Sequence, residues 1–434
     1  MSTKHLDKIV SLCKRKGFVF PNSEIYGGLK ASYDYGPLGV ELKKAISEKW
    51  WKAMMNNSNI VGLDSSIMVH PDVWEASGHI ANFNDPLTDN KDSKKRYRID
   101  DLLSQQKSKV IDALCEILSI ENKNDNNTLD KISHTLLQES DKYSNALESA
   151  EVIDPFSGNI GKWTQATQFN LMFQTNSGPS EKSGKSIYLR PETAQGIYIN
   201  YLLVQNSMRL KVPFGIAQIG KAFRNEIIAR NFIFRTREFE QMEMQYFVHP
   251  YEDESSMEHW KDKRISFYSE ELGISKDNLK FHQHSEDALA HYAKDAFDIE
   301  YNFPFGWGEV EGIHNRTDFD LKEHEKLSGK NMMYFDALKN EKYHPFIIET
   351  STGLNRLFLM VLCESYYEDN ENNRTVLKLP FDLAPNKIVI CPLLKKDGLP
   401  EKAKEIYDSI NATHKCVYDL SLIHISEPTR RSDI

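Results

Sequence analysis

Apolar and polar residues alternate along two neighbouring segments in the middle of the chain. Residues 216–226 read IAQIGKAFRNE, and residues 234–247 read FRTREFEQMEMQYF. A period of two places successive side chains on opposite faces of a β-strand. A polar turn separates the segments, so we predict an antiparallel hairpin with one face in the core and one polar face.

The polar face of this predicted hairpin combines charged, amide and aromatic side chains. Its positions are Gln218, Gly220, Ala222, Arg224 and Glu226 on the first strand, and Arg235, Arg237, Phe239, Gln241, Glu243 and Gln245 on the second. Buried charges are unfavourable unless they are paired or bind a charged ligand. Arginine offers phosphate a planar fork, and an aromatic ring can stack on a nucleobase, which favours a nucleotide site. A salt-bridged outer face is the alternative interpretation of the same pattern.

The rest of the chain predicts a mixed fold. Helices are predicted over residues 5–16 and 40–55, with turns rich in Gly, Pro and Tyr between them. Residues 161–384 are dense in aromatic and β-branched residues, which favours a largely antiparallel sheet backed by helices. After Pro385, the segments KIVICPL, 401–410 and HKCVYDL predict a strand, a helix and a strand. The predicted class is α+β.

Changes in composition suggest four units. Residues 86–160 contain the basic KDSKKRYR and the low-complexity ENKNDNNTLDK, so we predict an inserted, partly helical module there. It would separate residues 1–85 from residues 161–384, which together form the main domain. Residues 385–434 would form a separate C-terminal unit.

Composition and charge narrow the class of protein. The 434 residues have 40% hydrophobic content and a mean hydropathy of −0.54, values typical of a soluble globular protein. The net charge of −9 does not suggest a surface that binds nucleic acid over most of its area. No segment approaches a membrane span, and the N-terminus lacks the apolar region of a signal peptide. The five cysteines form no CxxC pair, so we expect reduced thiols in a cytoplasmic protein.

Six ordered motifs carry a family resemblance. FRNE with its returning strand FRTREFEQME is similar to the second signature motif of the class II aminoacyl-tRNA synthetases. The helix through Trp50 and Trp51 and the following NIVGLDSSIMVHPDVWEASGH resemble the first motif, with Pro71 at the expected place, and ETSTGLNRLFLMVL resembles the third. With RPETAQGIY, GWGEVEG and NRTDFDL, they resemble the glycyl-tRNA synthetases of the dimeric α2 type over residues 1–420.

The resemblance implies a fold, an activity and partners. The fold is a class II synthetase-type antiparallel sheet flanked by helices, with an insertion and the start of a C-terminal α/β anticodon-binding domain. The activity is a glycine–tRNA ligase that uses ATP and Mg²⁺, binds tRNA(Gly), acts in the cytoplasm and involves no membrane. We expect a homodimer through the apolar residues of the first motif, Trp50, Trp51, Ile60, Val61 and Ile67.

Three residues are implied to be catalytic. Activation joins the glycine carboxylate to the α-phosphate of ATP, which requires alignment and charge stabilisation more than a covalent nucleophile. Arg224 would clamp the α-phosphate and the substrate carboxylate. Arg356 would close over the γ-phosphate and adenine from a helix N-terminus. Glu309 would hold Mg²⁺.

The remaining nucleotide contacts follow from the same resemblance. Glu226 would accept a hydrogen bond from the adenine amino group, and Phe239 would stack on the ring. Arg235 and Arg237 would bind the outer phosphates. The implied ATP site comprises Arg224, Asn225, Glu226, Phe234, Arg235, Thr236, Arg237, Glu238, Phe239, Glu309, Val310, Gly353, Leu354, Asn355 and Arg356.

Glycine has no side chain, so its recognition must use the ammonium group and exclude bulk. Glu192, Glu243 and Glu349 offer carboxylates for the ammonium. A filled pocket rejects alanine sterically, so no editing site is implied. The implied glycine site comprises Arg98, Glu192, Phe239, Glu240, Gln241, Met242, Glu243, Arg316, Glu349, Thr350, Ser351, Thr352 and Gly353.

Other interpretations of the sequence carry less weight or stay open. His282, His284 and His291 have spacing that could hold a metal, but solvated histidines explain it better. The basic segments 14–16 and 94–98 are equally consistent with solvated surface and with contact to the tRNA acceptor stem. A non-catalytic relative that keeps the fold is one alternative. It would be expected to lose Arg224 and Arg356, but this chain has both, which counts against it. An adenylating ligase that never loads tRNA is a second alternative. It would not need the unit after residue 385, so the presence of that unit counts against it.

The C-terminus departs from the resemblance. The chain ends about fifty residues after Pro385 with SLIHISEPTRRSDI, which matches no further element. Two strands and one helix cannot bury both faces of a sheet, so we expect a truncated, incompletely folded anticodon-binding domain with an atypical, disordered tail. Glycyl-adenylate formation should then survive, while tRNA charging should be weak.

Overall fold

The computed structural model describes residues 3–121, 126–178, 185–226, 231–285, 289–290, 292–413 and 416–420. The predicted tail after Ser421 lies outside these residues, and so do His291 and most of the turn between the hairpin strands. Within the described ranges, no helix combines the length and the apolar character that crossing a membrane requires.

The described part of the chain contains both helices and strands. The α-helices are Thr3–Lys16 (α1), Pro37–Met55 (α2), Pro71–Ala76 (α3), His79–Asn82 (α4), Ile99–Leu103 (α5), Ser108–Leu118 (α6), Asn126–Gln138 (α7), Ala146–Ser149 (α8), Ala194–Met208 (α9), Asp253–Ser266 (α10), Phe319–Ser328 (α11), Leu354–Ser365 (α12) and Leu399–Asn411 (α13). The β-strands are Val19–Pro21 (β1), Tyr33–Tyr35 (β2), Ile60–Gly62 (β3), Met68–Val69 (β4), Asn84–Asp89 (β5), Arg96–Arg98 (β6), Thr167–Asn170 (β7), Gln174–Ser177 (β8), Lys185–Leu189 (β9), Phe214–Phe223 (β10), Glu238–Val248 (β11), Leu279–Gln283 (β12), Asp295–Phe303 (β13), Gly306–Thr317 (β14), Tyr334–Asp336 (β15), Glu341–Tyr343 (β16), Phe346–Gly353 (β17), Tyr366–Asp369 (β18), Arg374–Leu377 (β19), Ile388–Ile390 (β20) and Cys416–Tyr418 (β21).

A seven-stranded sheet lies at the centre of the main domain, in the order β12-β13-β14-β17-β11-β10-β3. Its neighbouring strands are antiparallel except β10 and β3, which are parallel. The predicted hairpin is confirmed, because β10 pairs with β11 from Phe214 opposite Phe247 to Phe223 opposite Glu238. The largely antiparallel sheet that the sequence predicts is present.

The ladder of this hairpin is shorter than predicted. The prediction extended both strands through the arginines, but β10 ends before Arg224 and β11 begins after Arg237. A turn of 3-10 helix at Phe232–Phe234 leads the chain back towards β11. The Arg224 N–H still donates to the Arg237 carbonyl at 2.9 Å. These arginine side chains therefore extend from the loop end of the hairpin and not from its pleated face.

Helix α2 covers the apolar face of the hairpin. Its Leu42, Ile46 and Trp50 are spaced four residues apart, so they share one side of the helix. All three are fully buried and belong to one hydrophobic cluster with Met242 and Met244 of β11. Helices α10 and α12 contribute to the same cluster, which fixes the sheet against this layer of helices.

This packing corrects the predicted dimer surface. Trp50 and Ile60 were assigned to contact with a second copy, but they are buried in the chain's own core, with 0% and 5% of their surface exposed. The first motif is rich in apolar residues because α2 and β3 both pack against the central sheet. Trp51, Val61 and Ile67 are half-buried, so only this part of the predicted surface can meet a partner.

Residues 99–163 enclose a second hydrophobic cluster, which includes Leu114, Leu147 and Trp163. On the polar side of the central sheet, α9 packs on β10 and β11, and α11 packs on α9 and α3. Near the C-terminus, β20 and β21 pair in parallel and α13 packs against them. The division into units at residues 85, 160 and 384 stays a prediction, because these contacts do not locate boundaries.

Removing one methylene group from the α2 interface should weaken the fold measurably. Ile46 is fully buried, so Ile46→Val is expected to lower the free energy of unfolding by about 1 kcal/mol. Urea unfolding followed by circular dichroism would measure the change. Val40 is exposed on the same helix, so Val40→Ala should change stability by less than about 0.5 kcal/mol. Equal effects of the two substitutions would contradict the packing of α2.

Candidate active site

A cleft of about 620 Å³, open to solvent, lies at the loop end of the hairpin. It is lined by residues from β11, β14, β17, the start of α12 and the segments that flank the hairpin turn. The lining residues are Arg224, Glu226, Phe234, Arg235, Thr236, Phe239, Gln241, Glu309, Ser351, Gly353, Asn355 and Arg356. Each belongs to the sites that the sequence predicts, so the structure brings twelve of those residues together.

Arg224 is held in place on three sides. Its guanidinium lies over the ring of Phe83 at 5.4 Å and over the ring of Phe239 at 5.3 Å. Its Nε donates to the carbonyl of Pro191 at 3.0 Å. Contacts between a guanidinium and aromatic faces are favourable, and here they orient the side chain before any ligand binds. Arg224 is therefore a preorganised cation at the edge of the cleft.

Arg356 sits in the first turn of α12 and spans the cleft. Its Nη1 lies 3.1 Å from Glu309 Oε2 and donates to the Glu309 carbonyl at 2.9 Å, and its Nε donates to the Phe234 carbonyl at 3.3 Å. The guanidinium lies 4.4 Å from the centre of the Phe234 ring. The charge of Arg356 is the main reason that the pKa of Glu309 is lowered. Glu309 is therefore an ionised carboxylate in the cleft, with 47% of its side chain exposed.

A network of buried polar groups lies beyond the cleft, on the same face of the sheet. Arg316 makes two contacts with Asp320, at 2.8 and 3.0 Å, and one with Glu349 at 3.1 Å. Gln245 donates to Glu349 at 2.9 Å and to Glu243 at 2.7 Å. These five side chains are at least 90% buried, which makes the network a closed, low-dielectric environment.

Glu192 and two histidines complete the network. Glu192 Oε2 lies 3.4 Å from His79 Nε2, and Gln195 Nε2 donates to Glu192 Oε1 at 3.1 Å. His314 is opposite Glu349 in the β14–β17 ladder, with its Nδ1 3.0 Å from Glu349 Oε1. Glu192 and Glu349 therefore each have a histidine and a hydrogen-bond donor beside them, which fix the direction of the carboxylate.

The network holds more acidic groups than permanent cations. Glu192, Glu243, Glu349 and Asp320 surround a single arginine, Arg316. Burial raises the pKa of Glu192 and of Glu349, but Arg316 and the histidine beside each carboxyl outweigh burial and lower both pKa values. Burial, together with the charges of Glu349 and Glu192, raises the pKa of Glu243. An environment of this kind favours an added cation such as an ammonium group.

Gln241 connects the cleft with the acidic network. It lines the cleft, donates to Ser351 Oγ at 3.2 Å and accepts from the Thr193 N–H at 3.1 Å. The Thr193 hydroxyl in turn donates to Glu243. Ligands bound in the two regions would therefore be neighbours.

Several side chains of the predicted site lie on the opposite face of the sheet. On β11, Glu240 pairs with Lys43 of α2 at 2.5 Å and Met242 is buried in the main core. On β17, Thr352 Oγ1 donates to the Val310 carbonyl at 2.6 Å, away from the cleft. Side chains alternate along a strand, so these even-numbered positions must face the core when Gln241 and Ser351 face the cleft. Val310 of β14 and Leu354 at the start of α12 are likewise buried in the main core, and Thr350 is fully buried at an even-numbered position of β17.

Four further predicted residues lie outside the lining of the cleft. Arg98 pairs with Asp85 at 3.1 Å and with Asp100 at 2.6 Å. Arg237 donates through Nε to the Glu226 carbonyl at 3.0 Å, and Glu238 pairs with Lys221. The remaining residue, Asn225, donates its backbone N–H to the Leu171 carbonyl at 2.7 Å. Each of these four residues has a contact that holds it outside the lining of the cleft.

The sequence did not reveal some members of the site. Asp320 lies four residues after Arg316 and Gln195 lies three after Glu192, spacings that bring side chains together near a helix start. Those spacings were a usable signal within the quoted motifs. His79 ends the first motif, but neither it nor Phe83 gave a signal of its contact, because both lie far in sequence from the residues that they contact.

Comparison with known proteins decides the family. The chain is 48% identical over 425 residues to the glycine–tRNA ligase of Treponema denticola, a match that covers 96% of this chain and 84% of the relative. It is also 48% identical to the glycine–tRNA ligase of Chlorobaculum tepidum, over 99% of this chain and 90% of the relative. The chain belongs to the glycine–tRNA ligase family.

The fold of this member of the glycine–tRNA ligase family agrees with two further comparisons. Residues 173–366 match the class II tRNA synthetase core domain (G, H, P, S and T). The prolyl-tRNA synthetase of Giardia lamblia, solved in complex with prolyl-adenylate, has a TM-score of 0.61 at 14% identity, over 98% of this chain and 66% of that chain. The predicted family and the class II synthetase fold are confirmed.

Proposed function

We propose that the cleft and the acidic network together convert glycine and ATP into glycyl-adenylate and then pass glycine to tRNA(Gly). Membership of the glycine–tRNA ligase family gives the reaction, an ATP-dependent aminoacyl-tRNA ligation. The residue roles are our proposal, and the position of Arg224 carries it. Arg224 lines the cleft and is anchored to Pro191, the neighbour of Glu192 in the acidic network. A cation at this junction can contact both reacting groups.

ATP would occupy the cleft. Phe239 offers a flat ring for adenine, and Glu226 is an acceptor that can receive the adenine amino group. Arg235 and Arg356 bring positive charge for the phosphates. Glycine's carboxylate oxygen bonds to the α-phosphorus while the bond to the departing pyrophosphate breaks, and Arg224 stabilises the charge that develops there.

The cleft offers one carboxylate ligand for a magnesium ion, Glu309. Magnesium in nucleotide sites usually takes one or two carboxylates together with phosphate oxygens, and Glu309 is an ionised carboxylate in the cleft. No cluster of three or more His, Cys, Asp or Glu is placed to hold a metal in the described residues, so phosphate oxygens would have to supply the other ligands. When bound, the ion would neutralise phosphate charge. Arg356 would hold the Glu309 carboxylate ready for it.

Glycine would place its ammonium group in the acidic network. Glu192, Glu243 and Glu349 supply acceptors there, and Arg316 and Gln245 fix the directions of two of them. The cation would balance the excess of acidic groups around Arg316. The buried side chains that close the network leave little room for a larger amino acid.

Pyrophosphate exchange tests the proposed reaction. Purified protein should exchange labelled pyrophosphate into ATP when glycine is present, and should not do so with alanine or serine. Exchange with no dependence on glycine would contradict the assignment of the acidic network. Charging of tRNA(Gly) under the same conditions separates this reaction from that of a ligase that only adenylates its substrate.

The protein is further proposed to act as a cytoplasmic homodimer. The cysteines in the described residues are free thiols, which agrees with a reducing compartment. Leu203 on α9, Leu327 on α11 and Met68, three residues before α3, are exposed apolar residues, and α11 packs on both α3 and α9. Exposed apolar patches often mark interfaces between subunits. We infer that a second copy covers this patch.

Sedimentation velocity would test the dimer. At micromolar concentration, the protein should sediment as a species of about twice 50.1 kDa. Leu203→Asp should shift the equilibrium towards the monomer, because it places a charge in the apolar patch. Val389 is exposed on β20 outside the patch, so Val389→Asp is the matched control. A monomeric parent protein would contradict the proposal.

A further inference from the structure

Residues 22–32, named the 22–32 loop, expose three large apolar side chains to solvent, Leu29 at 52% and two that are almost fully exposed. Ile25 is 88% exposed and Tyr26 is 86% exposed. The loop joins β1 to β2 and contains a short 3-10 helix at Glu24–Tyr26. Folding normally removes such side chains from water, so their display on one short turn calls for a function.

The backbone of the 22–32 loop is extensively hydrogen-bonded. The N–H of Asn22 donates to the Ser32 carbonyl at 3.1 Å, and the N–H of Leu29 donates back to the Asn22 carbonyl at 3.1 Å. The N–H groups of Tyr26 and Gly28 both donate to the Ser23 carbonyl, at 2.9 and 3.1 Å. A loop held by its own hydrogen bonds loses little conformational entropy when a partner binds. The exposed position of Tyr26 is therefore built into the loop.

The loop is attached to the returning segment of the hairpin, next to the cleft. The N–H of Arg237 donates to the Ala31 carbonyl at 2.8 Å. Tyr33 then makes an edge-to-face contact with Phe232, with their ring centres 5.1 Å apart. The first contact joins the 22–32 loop, and the second joins the start of β2, to the returning segment of the hairpin, whose Phe234 and Arg235 line the cleft. The 22–32 loop therefore adjoins a segment that lines the cleft.

The local charge is opposite in sign to that of the whole chain. Residues 14–35 contain four basic residues and two acidic ones, whereas the chain has a net charge of −9. The basic residues are Lys14, Arg15, Lys16 and Lys30, and all four are exposed. Lys14 pairs with Glu24 and so joins the end of α1 to the loop. An exposed aromatic ring with basic side chains nearby is the combination that binds single-stranded nucleic acid.

We propose that the 22–32 loop binds the single-stranded 3′ end of tRNA, with Tyr26 stacking on a base and the end of α1 contacting the backbone phosphates. The inference rests on the proposed function, because the 3′ end must reach the cleft to accept glycine. Lys16 and Lys30 supply phosphate contacts. The loop thereby guides the acceptor end past the hairpin and into the active site.

Two substitutions test the role of Tyr26. An RNA minihelix with the acceptor stem and 3′ end of tRNA(Gly) is the probe, since it needs no contact with the C-terminal unit. Tyr26→Ala is expected to weaken binding of the minihelix, measured by fluorescence anisotropy, by about 5-fold or more, and to raise the KM for its charging similarly. Tyr26→Phe should retain binding, because its ring can still stack. Glycine-dependent pyrophosphate exchange should be unchanged in both variants.

Tyr251→Ala is the matched control. Tyr251 is 91% exposed and follows the far end of β11 from the cleft, so its loss should leave minihelix binding intact. Wild-type binding and charging by Tyr26→Ala would overturn the proposal. So would a change in subunit association with no change in RNA binding, which would assign the loop to a protein contact. Minihelix binding does not depend on catalysis, so it reports on the loop, whereas pyrophosphate exchange reports on the proposed function.

Discussion

Replacing Arg224 with alanine should slow glycine-dependent pyrophosphate exchange at least about 100-fold, which corresponds to about 2.7 kcal/mol of transition-state stabilisation. The large effect is expected because Arg224 is already oriented, between the rings of Phe83 and Phe239 and by the Pro191 carbonyl. A preorganised donor needs no reorganisation when charge develops on the α-phosphate. Steady-state exchange rates at saturating glycine and ATP would measure the loss.

Two further variants make the Arg224 test specific. Arg224→Lys keeps the charge but loses the planar fork, so most of the activity should still be lost. Arg374 pairs with Asp369 in the β18–β19 hairpin, outside the cleft, and Arg374→Ala should exchange pyrophosphate at the parent rate. Undiminished exchange by Arg224→Ala would remove Arg224 from the mechanism.

Glu192→Gln and Glu349→Gln should each raise the KM for glycine by about 10- to 100-fold, the effect of losing a charged acceptor of about 1.5–3 kcal/mol. The KM for ATP should change far less, because neither residue lines the cleft. Both carboxyls have lowered pKa values, so they are ionised at neutral pH, and each substitution removes a real charge. Pyrophosphate exchange at varied glycine and at varied ATP would separate the two constants.

Glu240→Gln provides the control for these substitutions. Glu240 was predicted to bind glycine, but its side chain pairs with Lys43 on the other face of β11. Its substitution should leave the KM for glycine unchanged. Thermal unfolding of each variant would show whether the loss of a partner of Arg316 disturbs the fold. Normal glycine binding by both Glu192→Gln and Glu349→Gln would show that another group binds the ammonium group of glycine.

The sequence by itself determined the hairpin and the composition of the cleft. Alternation over residues 216–247 was sufficient to predict β10 and β11, because a strand with one buried face must alternate. The motif residues Arg224, Glu309 and Arg356 meet in the cleft as their motifs implied. Local pattern and ordered motifs carry this information, since both are properties of short segments.

Only the tertiary structure decided what each motif residue contacts. Glu240 pairs with Lys43 of α2, and Thr352 donates to the Val310 carbonyl, because the fold brings α2 and β14 next to these strands. Trp50 belongs to the core and not to a dimer surface, because α2 lies across the sheet. These outcomes depend on contacts between segments far apart in the chain, and the spacing of residues within one segment does not encode them.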